Sequence, residues 1–161
     1  MINNINYVGN KQVLENYKIS FLCSRKCPAD IILKSYDWAI EQREKGNCVI
    51  SGFHSKIEKD VLHYLIKGTQ PVILVLARGL KKRLDPEFEK ALNKNRLLLI
   101  SPFNRDVKRV TVETANQRNR FMAELADEIF VAYASQGGNI EKLITSISHT
   151  EKKVSTFNSC K

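Results

Sequence analysis

Short apolar runs alternate along the chain with longer segments in which apolar and polar residues follow a helical spacing. The apolar runs occupy residues 18–23, 47–51, 71–77, 96–101 and 128–134. Their hydrophobicity is continuous, as expected for strands of a parallel sheet that helices cover on both faces. With 153–157 as a further edge strand, the pattern predicts the α/β class, as a single three-layer Rossmann-like domain with a mostly parallel sheet of five to six strands.

Two of the intervening helices have clear start signals. Asp85 stands directly before Pro86, which combines a capping residue with a proline in the first turn. A later helix is predicted over 112–126, where Thr114 and Gln117 have the spacing of a capping box. These signals place a polar loop between each strand and the helix that follows it.

The amino-terminal residues follow neither pattern. Residues 1–16 are polar and rich in asparagine, so we predict a leader with a short helix from Lys11 to Tyr17, ahead of one domain over 17–161. A chain of 161 residues can bury the core of such a domain without metal or disulfide bonds. No run approaches the ~20 apolar residues of a membrane span, and no secretory signal is evident. We therefore expect no membrane partner and a cytoplasmic location.

Composition narrows the function classes only in part. The net charge is +9, from 26 basic and 17 acidic residues, which favours a polyanionic partner. The cysteines follow no paired metal-binding spacing, so we predict reduced thiols and neither a metal nor a cofactor. They are Cys23, Cys27, Cys48 and Cys160.

The chemistry that the sequence offers collects at one edge of the predicted sheet. The carboxyl ends of parallel strands share an edge, and ligands of such folds bind outside it. Arginine side chains and the free N–H groups of glycine loops both bind anionic oxygens. The candidate residues for binding nucleic acid or phosphate at this edge are Ser24, Arg25, Ser51, Gly52, Lys56, Arg118, Asn119, Arg120, Gly137 and Gly138.

Several of these residues also have a structural interpretation. Arg118 and Arg120 lie two positions apart, so they point to different sides of their helix. One would clamp a ligand while the other pairs with an acid such as Glu124. Asn119 falls near the apolar stripe, where its amide would either bind a ligand or hold loop carbonyls. The glycines of both loops would serve equally as turn residues.

His54 is the one histidine at this edge of the predicted sheet. A catalytic role would need a nucleophile or a carboxylate nearby. Glu58 lies four residues further on, but no nucleophile elbow is present. We therefore expect a loop histidine without special function, and we assign no catalytic residue.

The loops at this edge, taken in order, resemble the central domain of the DNA-processing protein A family (DprA, also called Smf) over about residues 18–157. The most specific match is arginine-asparagine-arginine in a helix before the next strand. The matching motifs are Ser24-Arg25, Ser51-Gly52 with Ile57-Glu58, Ala77-Arg78-Gly79-Leu80, Arg118-Asn119-Arg120 and the serine-glycine loop 135–139. Cys23 stands where the family has glycine, and Lys56 displaces the basic residue of the second loop by one position.

The resemblance implies non-enzymatic binding of single-stranded DNA or a nucleotide through the basic strand-end edge, in DNA processing or recombination. The same group of Rossmann-like domains contains the LOG-type phosphoribohydrolases, so a nucleotide-directed enzyme or sensor is the alternative. Those enzymes have a glycine loop that resembles the pattern PGGxGTxxE, whereas Gly137-Gly138 is followed here by Asn139-Ile140-Glu141. Domains of this group often pair through helices, and we keep a homodimer as a further expectation.

Overall fold

The computed structural model describes residues 5–159. The strands are β1 Asn6–Gly9, β2 Lys18–Cys23, β3 Cys48–Ser51, β4 Val72–Val75, β5 Leu97–Ser101, β6 Glu128–Tyr133 and β7 Lys153–Ser155. The α-helices are α1 Ala29–Lys45, α2 Lys56–Ile66, α3 Pro86–Asn93, α4 Val112–Leu125 and α5 Asn139–Ser146. Two short 3₁₀ helices cover Lys11–Glu15 and Phe157–Ser159. None of the helices in this part of the chain combines the length and apolarity needed to cross a membrane.

The strands form one sheet in the order β1-β5-β4-β3-β2-β6-β7. Every neighbouring pair is parallel except β1 and β5, which are antiparallel. The predicted α/β class and mostly parallel sheet are confirmed, although the sheet has seven strands rather than five to six. The chain builds outward from β2 in one direction through β3, β4 and β5, and then returns to place β6 on the other side of β2. The carboxyl ends of β2 and β6 are therefore the topological switch point of the sheet.

The additional strand lies in the segment that we predicted to be a leader. Asn6 pairs with Ser101 and Gly9 pairs with Leu98, so these residues form the antiparallel edge of the sheet. An edge strand is held by backbone bonds and needs no continuous apolar run, which explains why the polar sequence gave no strand signal. The predicted helix from Lys11 to Tyr17 is a 3₁₀ helix that buries Val13. Residues 1–4 of the predicted leader lie outside the described residues.

Two apolar clusters separate the sheet from its helices. One contains side chains of α1, α2 and α3, including Trp38, whose ring centroid lies 5.1 Å from that of Phe21 and 4.8 Å from that of Phe130. The other contains side chains of α4 and α5, among them the fully buried Met122. Burying one side chain of this size contributes about 1.5–3 kcal/mol to the stability of the fold. Both layers hold the strand ends in place, so loops beyond those ends are anchored on a rigid sheet.

The helix starts differ from the predicted ones in one informative way. The capping box of α4 joins Thr111 and Thr114, not Thr114 and Gln117. Because the helix already begins at Val112, Thr114 occupies its third position and bonds back to the Thr111 N–H at 2.9 Å. A capping box that we did not predict joins Ser55 and Glu58 at the start of α2. This second box fixes a carboxylate beside the strand-end edge.

Candidate phosphate-binding cleft

A cleft of about 390 Å³ opens at the switch point between the carboxyl ends of β2 and β6. We call it the switch cleft. Its walls come from the loops after β2, β3 and β6 and from the amino-terminal parts of α2, α4 and α5. Half of the predicted site residues line it, namely Ser24, Arg25, Arg118, Asn119 and Gly138. The sheet topology therefore brings together residues that are far apart along the chain.

Ser24 fastens the two loops that flank the cleft. Its backbone N–H donates to the Tyr133 carbonyl at 2.8 Å, and its Oγ accepts from the Ser135 N–H at 2.8 Å. These bonds continue the pairing of β2 and β6 beyond the ends of the strands. Ser24 thus shapes the entrance of the switch cleft, with its hydroxyl oxygen already accepting one internal hydrogen bond.

Arg118 is the buried cation of the cleft. It is only 5% exposed, yet it lines the cavity. Its Nε donates to Asn119 Oδ1 at 2.8 Å and its Nη1 to the Val75 carbonyl at 3.4 Å. Burial lowers the pKa of Arg118, and the Glu58 carboxylate opposes that effect. An arginine stays protonated across the physiological range, so the cleft contains a permanent positive charge.

Gly52 provides the space that the Arg118 guanidinium occupies. A Cβ at position 52 would overlap Nη1 of Arg118. The next residue, Phe53, is buried and has a φ of 45°, a conformation that is uncommon for a residue with a bulky side chain. We predicted Gly52 as a phosphate contact, but it does not line the cleft. The structure shows its contact with the guanidinium instead.

Glu58 and Ser51 form the polar support beneath the cleft. Glu58 is buried, and its Oε1 accepts from the backbone N–H groups of His54 at 3.2 Å and Ser55 at 2.9 Å. The hydroxyl of the fully buried Ser51 lies 3.0 Å from the Phe21 carbonyl oxygen and 3.4 Å from Glu58 Oε2. These bonds hold the start of α2 against β2, and they place Ser51 behind the wall of the cleft rather than on it.

The remaining predicted residues lie on the rim of the cleft or away from it. Arg25 is exposed on the rim and has no ion pair within the described residues. Lys56 has a side chain that is 89% exposed, lies outside the cleft and stands 3.2 Å from Asp60. The Gly137 N–H donates to the Glu141 carboxylate at 3.0 Å, and Gly137 has a φ of 74°.

Arg120 lines a second, smaller cavity of about 110 Å³ between α4 and α5. We call it the helix groove. Lys142 lines the same groove, and Asn116, Asn119 and Asn139 line both the groove and the switch cleft. As predicted, Arg118 and Arg120 point to different sides of α4. The two cavities are neighbours that share a row of asparagine side chains.

The structure also places His54 in the switch cleft, although we expected it to be a loop residue without special function. His54 is exposed as a whole residue, but partial burial in the cleft lowers its pKa below the ordinary value of 6.5, and the nearby Arg118 lowers it further. The signal in the sequence was its position, two residues after Gly52 in a strand-end loop. That position alone does not show whether the ring turns into the cleft.

A larger cavity of about 610 Å³ runs along α1 and the starts of β6 and β7. Aromatic side chains such as Trp38 and Phe130 form part of its wall. Its charged groups include two ion pairs, Lys45 with Glu41 at 2.6 Å and Lys153 with Glu128 at 3.4 Å. Since these cations already have carboxylate partners, we place the candidate anion site in the switch cleft. Within residues 5–159, no group of three or more His, Cys, Asp or Glu side chains is arranged to hold a metal ion.

Solved structures of DNA processing protein A and of a molybdenum cofactor binding protein share this fold. DNA processing protein A from Helicobacter pylori, described for its single-stranded DNA binding mode, matches with a TM-score of 0.76 and 15% identity over 94% of this chain and 70% of its own. DNA processing protein A from Streptococcus pneumoniae matches with a TM-score of 0.76 and 22% identity over 94% of this chain and 54% of its own. The molybdenum cofactor binding protein from Rippkaea orientalis matches with a TM-score of 0.61 and 9% identity, over 88% and 76% of the two chains. At these identities the likeness concerns the fold.

Sequence comparison gives the family directly. No curated protein matches the chain significantly. The family model for DNA recombination-mediator protein A, however, matches residues 3–156, nearly the whole chain. The resemblance inferred from the loop motifs is therefore confirmed, and with it the link to DNA processing at the level of the family. The chain belongs to the DNA recombination-mediator protein A family.

Proposed function

We propose that the switch cleft binds a backbone phosphate of single-stranded DNA, without catalysis. The observation that carries this proposal is the guanidinium of Arg118, which is buried against the cleft but forms no ion pair within the described residues. Taking a charge out of water costs several kcal/mol unless a partner compensates it. The Glu58 carboxylate and two neutral acceptors, Asn119 Oδ1 and the Val75 carbonyl, offset part of that cost, and none of them forms an ion pair with the guanidinium.

A phosphate suits the donors that the guanidinium leaves unused. Arginine has N–H groups in a planar fork, which can meet two oxygens of one phosphate. Arg25 on the rim supplies a second cation for the same or the adjoining phosphate. By contrast, the Gly137 N–H is already bonded to Glu141, so the anion is placed on the arginine side of the cleft.

Single-stranded DNA is the favoured ligand for two reasons. The net charge of +9 suits a polyanion, and the related protein from Helicobacter pylori is known for binding single-stranded DNA. The helix groove adds a place for a second phosphate, at Arg120 and Lys142. We propose that the strand continues from the switch cleft into this groove past the shared asparagine side chains. A free nucleotide would occupy the cleft alone.

Fluorescence anisotropy with labelled oligothymidylates of increasing length, and thymidine monophosphate as competitor, tests this proposal. Wild-type affinity should rise with length and fall with salt, by roughly 0.7 log units per log unit of salt for each phosphate contacted. The double substitution R120Q/K142Q should reduce the length dependence and leave mononucleotide competition unchanged. The matched control K90Q/K94Q removes the same charge from exposed lysines at α3, away from the cleft. Equal losses of oligothymidylate affinity in both double variants, or no oligothymidylate binding at low salt, would refute the proposed path of the strand from the switch cleft into the helix groove.

The enzymatic alternative predicts a different result. A phosphoribohydrolase would release free base from nucleoside monophosphates, which chromatography detects. We expect no release over a range of pH. The Glu58 carboxylate at the cleft is engaged by backbone N–H groups, and Glu141 is bonded to Gly137. Base release that Glu58→Gln abolishes would overturn the proposal of binding without catalysis.

Two further predictions concern the assembly and the location of the protein. We infer self-association through helices, which sedimentation velocity would show as a dimer at micromolar concentration. We also infer a cytoplasmic location, for which the described cysteines give support. Cys23, Cys27 and Cys48 are free thiols, and burial raises the pKa of Cys48 to about 12. Such unpaired thiols suit a reducing compartment.

A further inference from the structure

The backbone fixes the position of His54 at the mouth of the switch cleft. The buried side chain of Phe53 anchors one side of the turn. The His54 N–H donates to Glu58 Oε1 at 3.2 Å, which anchors the residue to the start of α2. Its side chain lines the same cavity as Arg25 and Arg118. His54 therefore lies near two cations in a cavity proposed to receive an anion.

The charges around His54 come from three separate elements. Arg118 belongs to α4, Arg25 follows β2, and Glu58 and Lys59 belong to α2. Burial has the largest effect and lowers the pKa of His54, and the positive charge of Arg118 lowers it as well. The Glu58 carboxylate acts in the opposite direction, while Arg25 and Lys59 add to the lowering. The net effect favours the neutral form of the His54 ring in the free protein.

We propose that His54 is a proton-dependent anion contact of the switch cleft, so that binding of a DNA phosphate is coupled to the uptake of one proton by this side chain. The inference rests on the proposed function of the cleft. A bound phosphate offsets the positive charges of Arg118 and Arg25 and offers an acceptor to a protonated imidazole. Both effects favour the charged form of the ring. The proton comes from solvent, and no covalent bond changes.

The sign of the pH dependence follows from this linkage. The pKa of His54 is low in the free protein and higher in the complex, so protons favour the complex. Affinity should rise as the pH falls from the value at which both forms are neutral to the value at which both are protonated. The slope cannot exceed one log unit of Kd per pH unit for a single proton. A difference of one pKa unit between the two states would change affinity about tenfold over the range.

Oligothymidylate binding at constant ionic strength, measured from about pH 5.5 to 8, tests the coupling in the range where histidine titrates. Wild-type protein should bind more tightly at the acid end, and His54→Gln should give a much flatter profile. His63→Gln and His149→Gln are matched controls, because neither histidine lines the cleft. His54→Lys should bind tightly at both ends of the range. Calorimetry in two buffers with different ionisation enthalpies should detect proton uptake for wild type and little for His54→Gln.

NMR titration of the His54 ring in wild-type protein, with and without the oligonucleotide, tests the same proton coupling without a substitution. The pKa should be higher in the complex. Tight binding with an unchanged His54 pKa, or a His54→Gln profile equal to that of wild type, would overturn this inference and leave the proposed function intact. Absence of binding at every pH would overturn both, and it would do so independently of any His54 variant.

Discussion

The two sides of the switch cleft present anion-binding groups in opposite ways. On the arginine side, formed by Arg118 and Asn119 with Gly52 packed against the guanidinium, the charge is buried and a neighbouring amide orients it. On the other side, the glycine loop (residues 135–139) is mostly exposed at its tip, and Glu141 takes up the N–H of Gly137. The arginine side thus has a buried cation without an ion pair among the described residues, whereas the glycine loop has an N–H group that an internal carboxylate already binds.

This difference shows that the arginine side is already organised for binding before a ligand arrives. A side chain whose rotamer is fixed by packing loses little freedom when a ligand arrives, so more of the contact energy appears as affinity. The glycine loop uses its conformational freedom for the turn into α5, where Gly137 adopts a positive φ. A glycine-rich loop after a strand is therefore not by itself evidence of a phosphate site.

The strongest test of the arginine side is Gly52→Ala. The added methyl group would overlap Arg118 Nη1, so the guanidinium must leave its position. We expect a loss of about 1–3 kcal/mol in the free energy of unfolding, as for overpacked cores, together with an at least tenfold loss of oligonucleotide affinity, which is about 1.4 kcal/mol. Urea unfolding and fluorescence anisotropy measure the two effects.

Gly138→Ala is the control on the glycine loop, because a Cβ there would meet the Ser135 carbonyl oxygen at 3.1 Å, a contact that a small shift relieves. It should change affinity less than Gly52→Ala. Equal effects of the two substitutions would remove the contrast between the two sides of the cleft.

Arg118→Met separates binding from stability. Methionine keeps much of the arginine stem and removes the buried charge. We expect affinity to fall by about 1.5–3 kcal/mol, the usual contribution of a hydrogen bond to a charged group. The free energy of unfolding should stay within about 1 kcal/mol of wild type or rise, because methionine avoids the cost of taking the Arg118 charge out of water. A large loss of stability with unchanged affinity would instead give Arg118 a structural role.

Glu141→Gln sharpens the comparison from the glycine side. Removing this carboxylate takes a negative charge away from the cleft and weakens the bond to the Gly137 N–H. We expect a rise in oligonucleotide affinity of roughly two- to fivefold at low salt, which salt should suppress. Glu124→Gln, an exposed glutamate on α4 outside both cavities, removes the same charge and should change affinity less. A loss of affinity in Glu141→Gln would show that this carboxylate supports binding.

The smallest effect is expected for Lys56→Gln. This residue belongs to the predicted site, but its side chain is highly exposed and stands beside Asp60. Exposed ion pairs contribute about 0–1 kcal/mol, so both stability and affinity should change little. A loss of affinity comparable to that of Arg118→Met would show that DNA reaches beyond the arginine side to the outer face of α2.

Much of the fold could be predicted because buried parallel strands have a strong local signal. The run at 71–77 predicted β4, and the alternation with helices predicted the layers. β1 was not predicted, because backbone pairing to β5 holds this edge strand and its residues share no pattern with the buried strands. The capping box of α4 was displaced by one turn because several polar residues near Thr111 have suitable spacings.

The site was predictable in its location more than in its roles. Arg118 lies at the strand-end edge as predicted, because the first half of α4 follows the carboxyl end of β5. The contact between Gly52 and Arg118 joins residues on different elements, and no local pattern contains it. The direction of the His54 ring depends equally on packing. Local sequence thus predicts which residues gather at the edge, whereas their contacts require the folded chain.

The fit of Gly52 against Arg118 also has a consequence for the history of the sequence. Position 52 cannot gain a side chain while the Arg118 guanidinium stays in its place, because the two would overlap. Positions coupled in this way change together, and a double substitution should show an interaction energy rather than a sum. Relatives that carry any residue larger than glycine at position 52 should therefore lack arginine at position 118, and should bind their anion, where they bind one, by a different cation.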